Sequence, residues 1–371
     1  MKSWFVTPES PQWSQTLARI PHDYYHLPAY VRFAAGPASP PSVCAFVAEE
    51  NDCYLFAPLI IRPIDESLSG RGGLQLFDAT CLRGDPSLIV GGSRSQLPAG
   101  FLNRALAAFV AGLREKRVIA CFLWLHPILI PDLEPLQTLG HLTHHKLTVS
   151  IDLTLSKSDL WKHTRANHRR GISRAGLDGQ TARIDARPES LDTFVEIYQE
   201  TMERVGASEY WYLSQDYFYG LKDALSERLH LCVIEQKGEV VAAGLFSEVC
   251  GIVQYVYGGS RTGALRHGPL KTMISFMTMW AKDRGNHSLH LGGGVRSDDD
   301  LFHFKVGFSP RTHPVLSWRL IVDDAAYGRL TTVWQTREKA VPDAVEGFFP
   351  AYRKPSPTTP AISVASSSSS T

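Results

Sequence analysis

Two stretches of the sequence, far apart along the chain, decide the expected fold. The first runs Arg165-Ala166-Asn167-His168-Arg169-Arg170-Gly171-Ile172-Ser173-Arg174-Ala175, and the second runs Leu289-His290-Leu291-Gly292-Gly293-Gly294 and continues to Phe302-His303-Phe304-Lys305-Val306-Gly307-Phe308. The first is a basic helical segment that follows an alternating strand at 148–155. The second is a strand that ends in three glycines and leads to aromatic residues around one lysine.

The basic stretch predicts one helix over 158–175, which starts at Ser158 and Asp159 and presents several cations on one face. Arginine forks bind phosphate groups well, so we interpret Arg165, Arg169 and Arg170 as phosphate ligands on a substrate. A solvated basic helix has a similar composition. Asn167 and Gly171 are unusual choices for such a helix, and we include Asn167 among the substrate-binding candidates.

A second basic segment, residues 261–271, joins a strand to a helix that begins near Pro269. The free N–H groups at a helix N-terminus bind anions, so a pyrophosphate or a nucleic-acid backbone fits here. An ordinary strand-to-helix turn is the alternative. The candidate cofactor-binding residues are Arg266, His267, Gly268 and Leu270.

The strand before the triple glycine delivers Gly292, Gly293 and Gly294 to a point where missing side chains let a substrate approach the backbone. Residues 298–300 are three aspartates that predict a cap for a short helix. On that helix Lys305 is the candidate catalytic residue, because an ammonium group stabilises the oxygen of a reacting carbonyl. Phe304, Tyr255 and Tyr257 are further substrate-binding candidates. A lysine whose stem merely covers aromatic surface is the alternative for Lys305.

Alternating and helical patterns predict an α/β protein in two similar halves. We expect strands at 43–49, 53–61, 119–125, 230–234, 240–247 and 251–258, and helices at 101–117, 191–205 and 268–285. The predicted domains are 1–150 and 151–330, followed by a C-terminal helix or extension at 331–353. Residues 354–371, rich in proline and serine, predict a disordered tail.

Composition narrows the function classes. The 371 residues are 44% apolar and 20% charged, with a formal net charge of +1, which argues against DNA binding driven by overall charge. Neither a secretory signal nor a transmembrane segment is predicted, which indicates a cytoplasmic protein. Histidines and cysteines lack metal-ligand spacing, so we expect no metal and six buried thiols. The motifs of serine hydrolases and of phosphate-loop nucleotide hydrolases are missing too.

The basic helix, the Leu-x-Leu-Gly-Gly-Gly strand and the Phe304-Lys305-x-Gly-Phe308 frame resemble the Fem-type branch of the GNAT superfamily. The resemblance covers roughly residues 20–325 and includes 22–30, 58–62 and 77–80 in the N-terminal half. It implies two tandem GNAT-like acyltransferase domains. It departs at 81–86, where Cys-Leu-Arg-Gly-Asp-Pro stands in place of the family's aromatic and glycine-rich loop. The coiled-coil arm of some members is absent.

The resemblance implies transfer of an aminoacyl group from aminoacyl-tRNA to an amine or hydroxyl of a small molecule or cell-wall precursor. The expected partners are therefore charged tRNA and that acceptor, with no tightly bound cofactor. Peptidoglycan and natural-product biosynthesis are the pathways in which such enzymes work. An N-acyltransferase that uses an acyl-CoA donor is the nearest alternative. A noncatalytic binding module with the same fold is the third hypothesis.

Overall fold

The structure is a computed structural model that describes residues 1–36, 42–69, 74–83, 85–92, 97–187, 190–295, 298–338 and 347–355. The chain divides into two compact units, Met1–His145 with Val315–Thr371, and Lys146–Pro314. Residues 315–330, which sequence analysis assigns to the second domain, therefore lie in the first unit. The predicted tail lies, from residue 356 onward, outside the described residues. Across the described ranges no helix is long and apolar enough to cross a membrane.

The helices and strands follow one another in chain order. The first group comprises β1 (Lys2–Val6), α1 (Pro11–Leu17), α2 (Pro28–Ala35), β2 (Ser42–Glu50), β3 (Cys53–Pro63), α3 (Glu66–Ser69), β4 (Phe77–Thr80), β5 (Pro86–Gly92), α4 (Phe101–Glu115), β6 (Val118–Leu125) and α5 (Glu134–Leu139). The second group comprises β7 (His141–Asp152), α6 (Lys157–His163), α7 (Ala166–Leu177), β8 (Gln180–Asp185), α8 (Ser190–Arg204), α9 (Gln215–Leu225), β9 (Leu229–Gln236), β10 (Glu239–Val249), β11 (Ile252–Ser260), α10 (Pro269–Asp283), β12 (Ser288–Gly293), α11 (Asp300–Val306), β13 (Thr312–Ile321) and α12 (Asp324–Glu338).

The first unit is a mixed sheet with strand order β1-β2-β3-β4-β6-β13, and β5 pairs with β3 and β6. The β2–β3 hairpin turns at Asn51 and Asp52, whose φ angles of 53° and 60° suit a two-residue turn. Helix α4 buries Leu106 and Phe109 in the core beside Trp318 of β13. Pairing of β13 with β6 is what brings residues 315–321 into this unit.

A buried polar cluster follows β6 in the first unit. Asp23 lies 3.0 Å from His126 Nε2, and both side chains are fully buried. His126 Nδ1 accepts hydrogen bonds from the N–H groups of Ile128 and Leu129. His26 is also fully buried and donates from Nε2 to the carbonyl of Ser87, which ties the chain before α2 to β5.

The second unit is a sheet with strand order β7-β12-β11-β10-β9-β8, in which β11 and β12 are parallel and joined by α10. Helix α7 packs beside α10, where Gly171 leaves room for the stem of Lys271. The first unit has a matching arrangement, because parallel β4 and β6 are connected through α4. In both units the second parallel strand also has an antiparallel neighbour, β13 beside β6 and β7 beside β12. The predicted α/β class with a repeated architecture is confirmed.

The single helix predicted over 158–175 is wrong, since α6 and α7 are separate helices. The chain is extended at Thr164 and at Arg165, where ψ is 126° and 144°. The N–H of Arg165 donates to the carbonyl of Gly307, 2.7 Å away, instead of continuing the first helix. Trp161 and His168 consequently lie on different helices.

Candidate active site

The pairing between β11 and β12 ends partway along both strands, and this is the central feature of the second unit. Ladder pairing joins Ile252–Gln254 to Ser288–His290 and stops there, although β11 continues to Ser260 and β12 to Gly293. Each strand then carries an irregularity, with Val256 as the extra residue opposite β10 and Leu291 as the extra residue opposite β7. Bulges bend strands and redirect side chains. We call the space between 255–260 and 291–293 the interstrand cleft.

The bulge at Val256 sends two tyrosines to opposite faces of the sheet. Tyr255 pairs with Phe246 and Tyr257 with its neighbour Leu245, so the alternation of faces is reset between them. Tyr255 stacks on Phe246 in the core under α10, where burial raises its pKa. Tyr257 contacts Tyr198 of α8, and its hydroxyl lies 2.9 Å from that of Tyr217 in α9.

Lys305 lies on α11, directly beyond the glycine end of β12. Its side chain is buried, with 7% of the residue exposed, and Nζ donates to the carbonyl of Gly293 over 2.7 Å. Burial lowers the pKa of Lys305 to about 7, with a further decrease from Lys146 and an opposing effect of Asp299. An ammonium group that titrates near neutrality can carry charge or exchange a proton during a reaction.

Lys146 and Asp299 surround the same glycines. Lys146 Nζ donates to the carbonyl of Gly294 over 2.9 Å, and burial lowers its pKa. Asp299 caps α11 by accepting from Phe302 N–H and also accepts from Val295 N–H. The two lysines thus bind the carbonyls of consecutive glycines in one turn of chain.

Protein atoms occupy the space that the three glycines leave. A Cβ on Gly294 would overlap the carboxylate of Asp299, and one on Gly293 would overlap the carbonyl of Leu147. Gly292 has a φ of +71°, and its Cβ would stand 3.4 Å from Lys305 Nζ. The glycines therefore allow α11 and β7 to approach the end of β12.

His168 joins the start of α7 to α11. Its buried ring donates from Nε2 to the carbonyl of Phe304 over 2.9 Å and contacts the rings of Phe304 and Phe308. Burial lowers the pKa of His168. A side chain at Gly307 would overlap the imidazole, so this glycine is needed for the joint. The contact between His168 and α11 places two exposed residues, Arg165 and Asn167, near the C-terminal end of α11.

The two other arginines of α7 differ in their surroundings. Arg169 donates to the carbonyls of Trp161, Lys162 and Thr164 and so caps the C-terminal end of α6. Arg170 is exposed to solvent. Of the pair, Arg170 has the more accessible guanidinium for a ligand.

The start of α10 forms the second basic element. Gly268 is left-handed with φ +60° and precedes Pro269, and the N-cap makes no side-chain hydrogen bond. Arg266 Nε donates to His267 Nε2 over 3.0 Å, and His267 Nδ1 lies 3.4 Å from Asp178. Leu270 packs at the edge of the core. Lys271 lies against Gly171, so α7 and α10 combine their cations on one side of the sheet.

The structure thus places Lys305, Phe304 and the three glycines together, with Arg165 and Asn167 at the neighbouring helix start. Tyr255 and Tyr257 flank the bulge, and residues 266–270 lie at the N-terminus of α10.

Sequence reasoning missed Lys146, His168, Gly307 and the extra residue Val256. Gly307 stands within the quoted aromatic frame and was open to discovery, whereas Lys146 lies in a polar run without a distinguishing signal. In the described part of the chain, no group of three His, Cys, Asp or Glu residues is arranged to hold a metal ion.

Comparison with known proteins identifies the class. Residues 162–305 match the family described as an acetyltransferase (GNAT) domain. Residues 162–305 therefore resemble a GNAT acyltransferase domain, and the fold of the chain is similar to that of solved Fem-like GNAT structures. No curated protein matches the sequence.

Solved structures agree over most of the chain. FemX aligns with a TM-score of 0.65 and 15% identity over 88% of this chain and 99% of that chain. L-PGS from Bacillus licheniformis aligns with a TM-score of 0.53 and 14% identity over 84% and 92% of the two chains. The C-terminal domain of a candidate lysylphosphatidylglycerol synthetase from Agrobacterium fabrum gives 0.51 and 14% over 88% and 95%.

Proposed function

We propose that the protein transfers an aminoacyl group from aminoacyl-tRNA to an amine or hydroxyl of a small-molecule or cell-wall-precursor acceptor. The observation that carries this proposal is the interstrand cleft, which opens beside the basic side of α7 and α10 and has buried Lys305 at its β12 end. An ester donor needs only placement, an oxyanion partner and a route for one proton. One structural neighbour, from Agrobacterium fabrum, bears a name that refers to lysylphosphatidylglycerol synthesis. The Fem-type resemblance implies aminoacyl-tRNA as donor, and the fold is similar to that of FemX, so an aminoacyl donor is favoured.

The reaction is a direct displacement. The acceptor nitrogen or oxygen attacks the ester carbonyl, a new C–N or C–O bond forms, and the tetrahedral intermediate expels the ribose oxygen, which receives the acceptor's proton. Lys305, as its ammonium, stabilises the developing oxyanion. Arg165, Arg170 and the N-terminus of α10 hold phosphates of the donor, and Asn167 and Phe304 border its acyl end. In this scheme Arg169 does not bind the donor. It caps the C-terminal end of α6 and so stabilises the connection between α6 and α7.

The pH dependence tests the charge state of Lys305. Because its pKa is about 7, the ammonium fraction falls as pH rises above neutrality. With a weakly basic acceptor such as hydroxylamine, single-turnover transfer is expected to decrease about tenfold per pH unit above this pKa. A rate that rises through pH 7 and then levels off would assign Lys305 as a general base instead. Lys305→Ala is expected to lower turnover by at least about 100-fold. The circular dichroism spectrum and the shape of the unfolding transition should be unchanged, which shows that the variant still folds.

The donor is tested directly. Purified protein is mixed with total tRNA charged with radiolabelled amino acids, together with cell-wall precursors and small amines, and a parallel sample contains acetyl-CoA. Transfer from tRNA supports the proposal and reveals the amino acid. Acetyl transfer alone would contradict it.

Acyl-CoA is the second candidate donor, favoured by the left-handed Gly268 and the Arg266–His267 pair before α10. In that case Arg266→Met weakens CoA binding, and charged tRNA leaves activity unchanged. A noncatalytic binding module is the remaining hypothesis. Retention of function in cells carrying a folded Lys305→Ala protein would favour it over either enzyme.

A further inference from the structure

Three consecutive aromatic side chains are exposed in the loop between α8 and α9. Tyr210, Trp211 and Tyr212 have 38%, 43% and 45% of their surface in contact with solvent. The rings of Tyr210 and Trp211 meet at 86° with centroids 5.1 Å apart, so they form two walls of a corner. Contiguous exposed aromatic surface on a soluble domain usually marks a binding site. We call these residues, with Glu209, the aromatic corner.

The aromatic corner is fixed to the interstrand cleft. The hydroxyl of Tyr198 donates to the carbonyl of Trp211 over 2.7 Å, and the same ring contacts Tyr257, with centroids 5.8 Å apart. Tyr257 is the residue that the Val256 bulge directs to this face, and Tyr217 bonds its hydroxyl from α9. One layer of side chains therefore connects the corner with the edge of the cleft.

The sheet separates an acidic side from a basic side. Gly258 and Gly259 point to opposite faces, and a Cβ on Gly259 would meet Thr201 of α8, whereas Gly244, the partner of Gly258, faces Met273 of α10. Helix α7, on the α10 side, carries three arginines and no acidic residue. Helix α8 carries four acidic residues and one arginine, and two of the acidic residues, Glu196 and Glu200, pair with Arg261. The corner adds Glu209, and α9 adds two aspartates, Asp216 and Asp223, and one lysine, so the side remains acidic in sum.

This polarity assigns a side to each reactant. A phosphate-bearing donor is attracted to the α7–α10 side, while the α8–α9 side attracts a cation. Aromatic faces together with a carboxylate favour an ammonium group in particular, because the ring quadrupole and the charge act in the same direction. An uncharged or anionic acceptor would gain nothing from Glu209 and Asp216.

We infer that the aromatic corner recognises an alkylammonium group on the acceptor. The inference rests on the proposed acyl transfer, because it names the chemistry of that reaction's second substrate. An ammonium nitrogen has no lone pair for attack, so the acceptor carries a second amine or a hydroxyl as nucleophile. That second group forms the bond to the acyl carbon, and its proton passes to the leaving ribose oxygen. A diamine or an amino alcohol fits this description.

Binding is measured without any donor. The full chain, labelled with ¹⁵N at its tryptophan indoles, is titrated with 1,5-diaminopentane, 1-pentanol and pentanoate, and the Trp211 signal is identified with Trp211→Phe. The diamine is expected to shift Trp211 and to bind at least about tenfold more tightly than 1-pentanol, as a cation–π contact with a nearby carboxylate implies. Trp211→Ala is expected to weaken binding about tenfold, and Glu209→Gln severalfold.

Trp161 supplies the matched control, since it is 42% exposed on α6 and remote in sequence from the corner. Trp161→Ala is expected to leave diamine binding unchanged. Equal binding of 1-pentanol, or preference for pentanoate, would overturn the inference. A shift of Trp211 by AMP, with the diamine silent, would assign the rings to a nucleobase and overturn it too. Diamine binding without transfer from any donor would retain the site and reject the proposed function.

Discussion

Lys305 shows how a functional group can reduce the stability of a fold. Its ammonium is stripped of water by burial, and the one hydrogen bond to Gly293 replaces only part of that solvation. Asp299 offsets the penalty and Lys146 increases it. The buried ammonium of Lys305 therefore lowers the free energy of unfolding of the protein.

Replacing Lys305 with methionine is expected to increase the free energy of unfolding by about 1–2 kcal/mol at pH 6. The folded pKa of about 7 lies below that of the unfolded chain, about 10.4, so the unfolded state binds more protons between these values. The stability of the natural protein consequently rises with pH over this window, and the advantage of methionine shrinks toward pH 10. Urea unfolding at several pH values measures this difference in the free energy of unfolding between the variant and the natural protein.

Lys157→Met serves as the control, because Lys157 is exposed in a surface ion pair with Asp283. Its effect should stay within about 0.5 kcal/mol at every pH. If Lys305→Met were as destabilising at pH 6 as at pH 9, the side chain would not be a desolvated cation.

Lys146 is expected to regulate the titration of Lys305. Lys146→Met removes the like charge, so the pKa of Lys305 should rise above 7, whereas Lys146→Arg should preserve it. NMR of ¹³C-labelled lysine side chains follows the titration without any assay of activity. An unshifted Lys305 signal in Lys146→Met would mean that the charge of Lys146 does not contribute to its pKa.

At the level of single elements, the break between α6 and α7 gives adjacent arginines different roles. Arg169→Met removes three hydrogen bonds to the end of α6 and is expected to cost about 1–2 kcal/mol of stability. Arg170→Met, on the exposed side of α7, should leave stability within about 0.5 kcal/mol and weaken donor binding instead. Thermal unfolding and tRNA binding, measured on both variants, separate the two. Loss of stability in Arg170→Met alone would reverse the assignment.

The turn from β12 to α11 depends on missing side chains. Gly294→Ala places a Cβ on the carboxylate of Asp299, which must then leave its cap on α11. We expect a loss of about 1–3 kcal/mol and a fall in turnover, because α11 carries Lys305. Gly263→Ala is the matched control, since nothing lies within 4 Å of its Cβ position. Equal stability of the two variants would show that the cap relocates without cost.

Patterns within single elements were largely sufficient to predict the strands and long helices. The hairpin at β2–β3, helix α4 and helix α10 follow from alternation, helical spacing and a proline at the helix start. The break at Thr164 could not be predicted, because it depends on the carbonyl of Gly307, more than a hundred residues later. Likewise the cap function of Arg169 and the position of Lys146 arise from tertiary contacts that leave no local signal. The candidate site was therefore found through its glycines and aromatics, and its charge environment was not.

At the scale of the whole molecule, buried histidines make stability sensitive to acid. Burial is the main cause that lowers the pKa of His26, to about 3, and it also lowers the pKa values of His168 and His230. Each is neutral in the fold and protonated more readily in the unfolded chain, whose histidines titrate near 6.5. The stability that they provide is present above pH 6.5 and is lost as pH falls toward their folded pKa values.

The contribution of these histidines to the free energy of unfolding should therefore decrease below pH 6.5. His26→Gln is expected to reduce the slope between pH 6 and 4 by about 1.4 kcal/mol per pH unit, the contribution of one proton. Denaturant titrations across this range measure the slope. His144→Gln, at an exposed position of β7, provides the comparison and should leave it unchanged.

The discontinuous first unit also has a consequence for synthesis. Residues 146–314 form a continuous unit and can complete their folding as soon as they leave the ribosome. The first 145 residues must wait for β13, because residues 317–321 supply the ladder partners of 120–124 in β6. At ordinary translation speeds the interval is roughly 10–35 s, during which β6 presents a bare edge. We therefore expect the edge of β6 to stay exposed on nascent chains for that interval, and slower translation of residues 146–314 to lengthen the exposure.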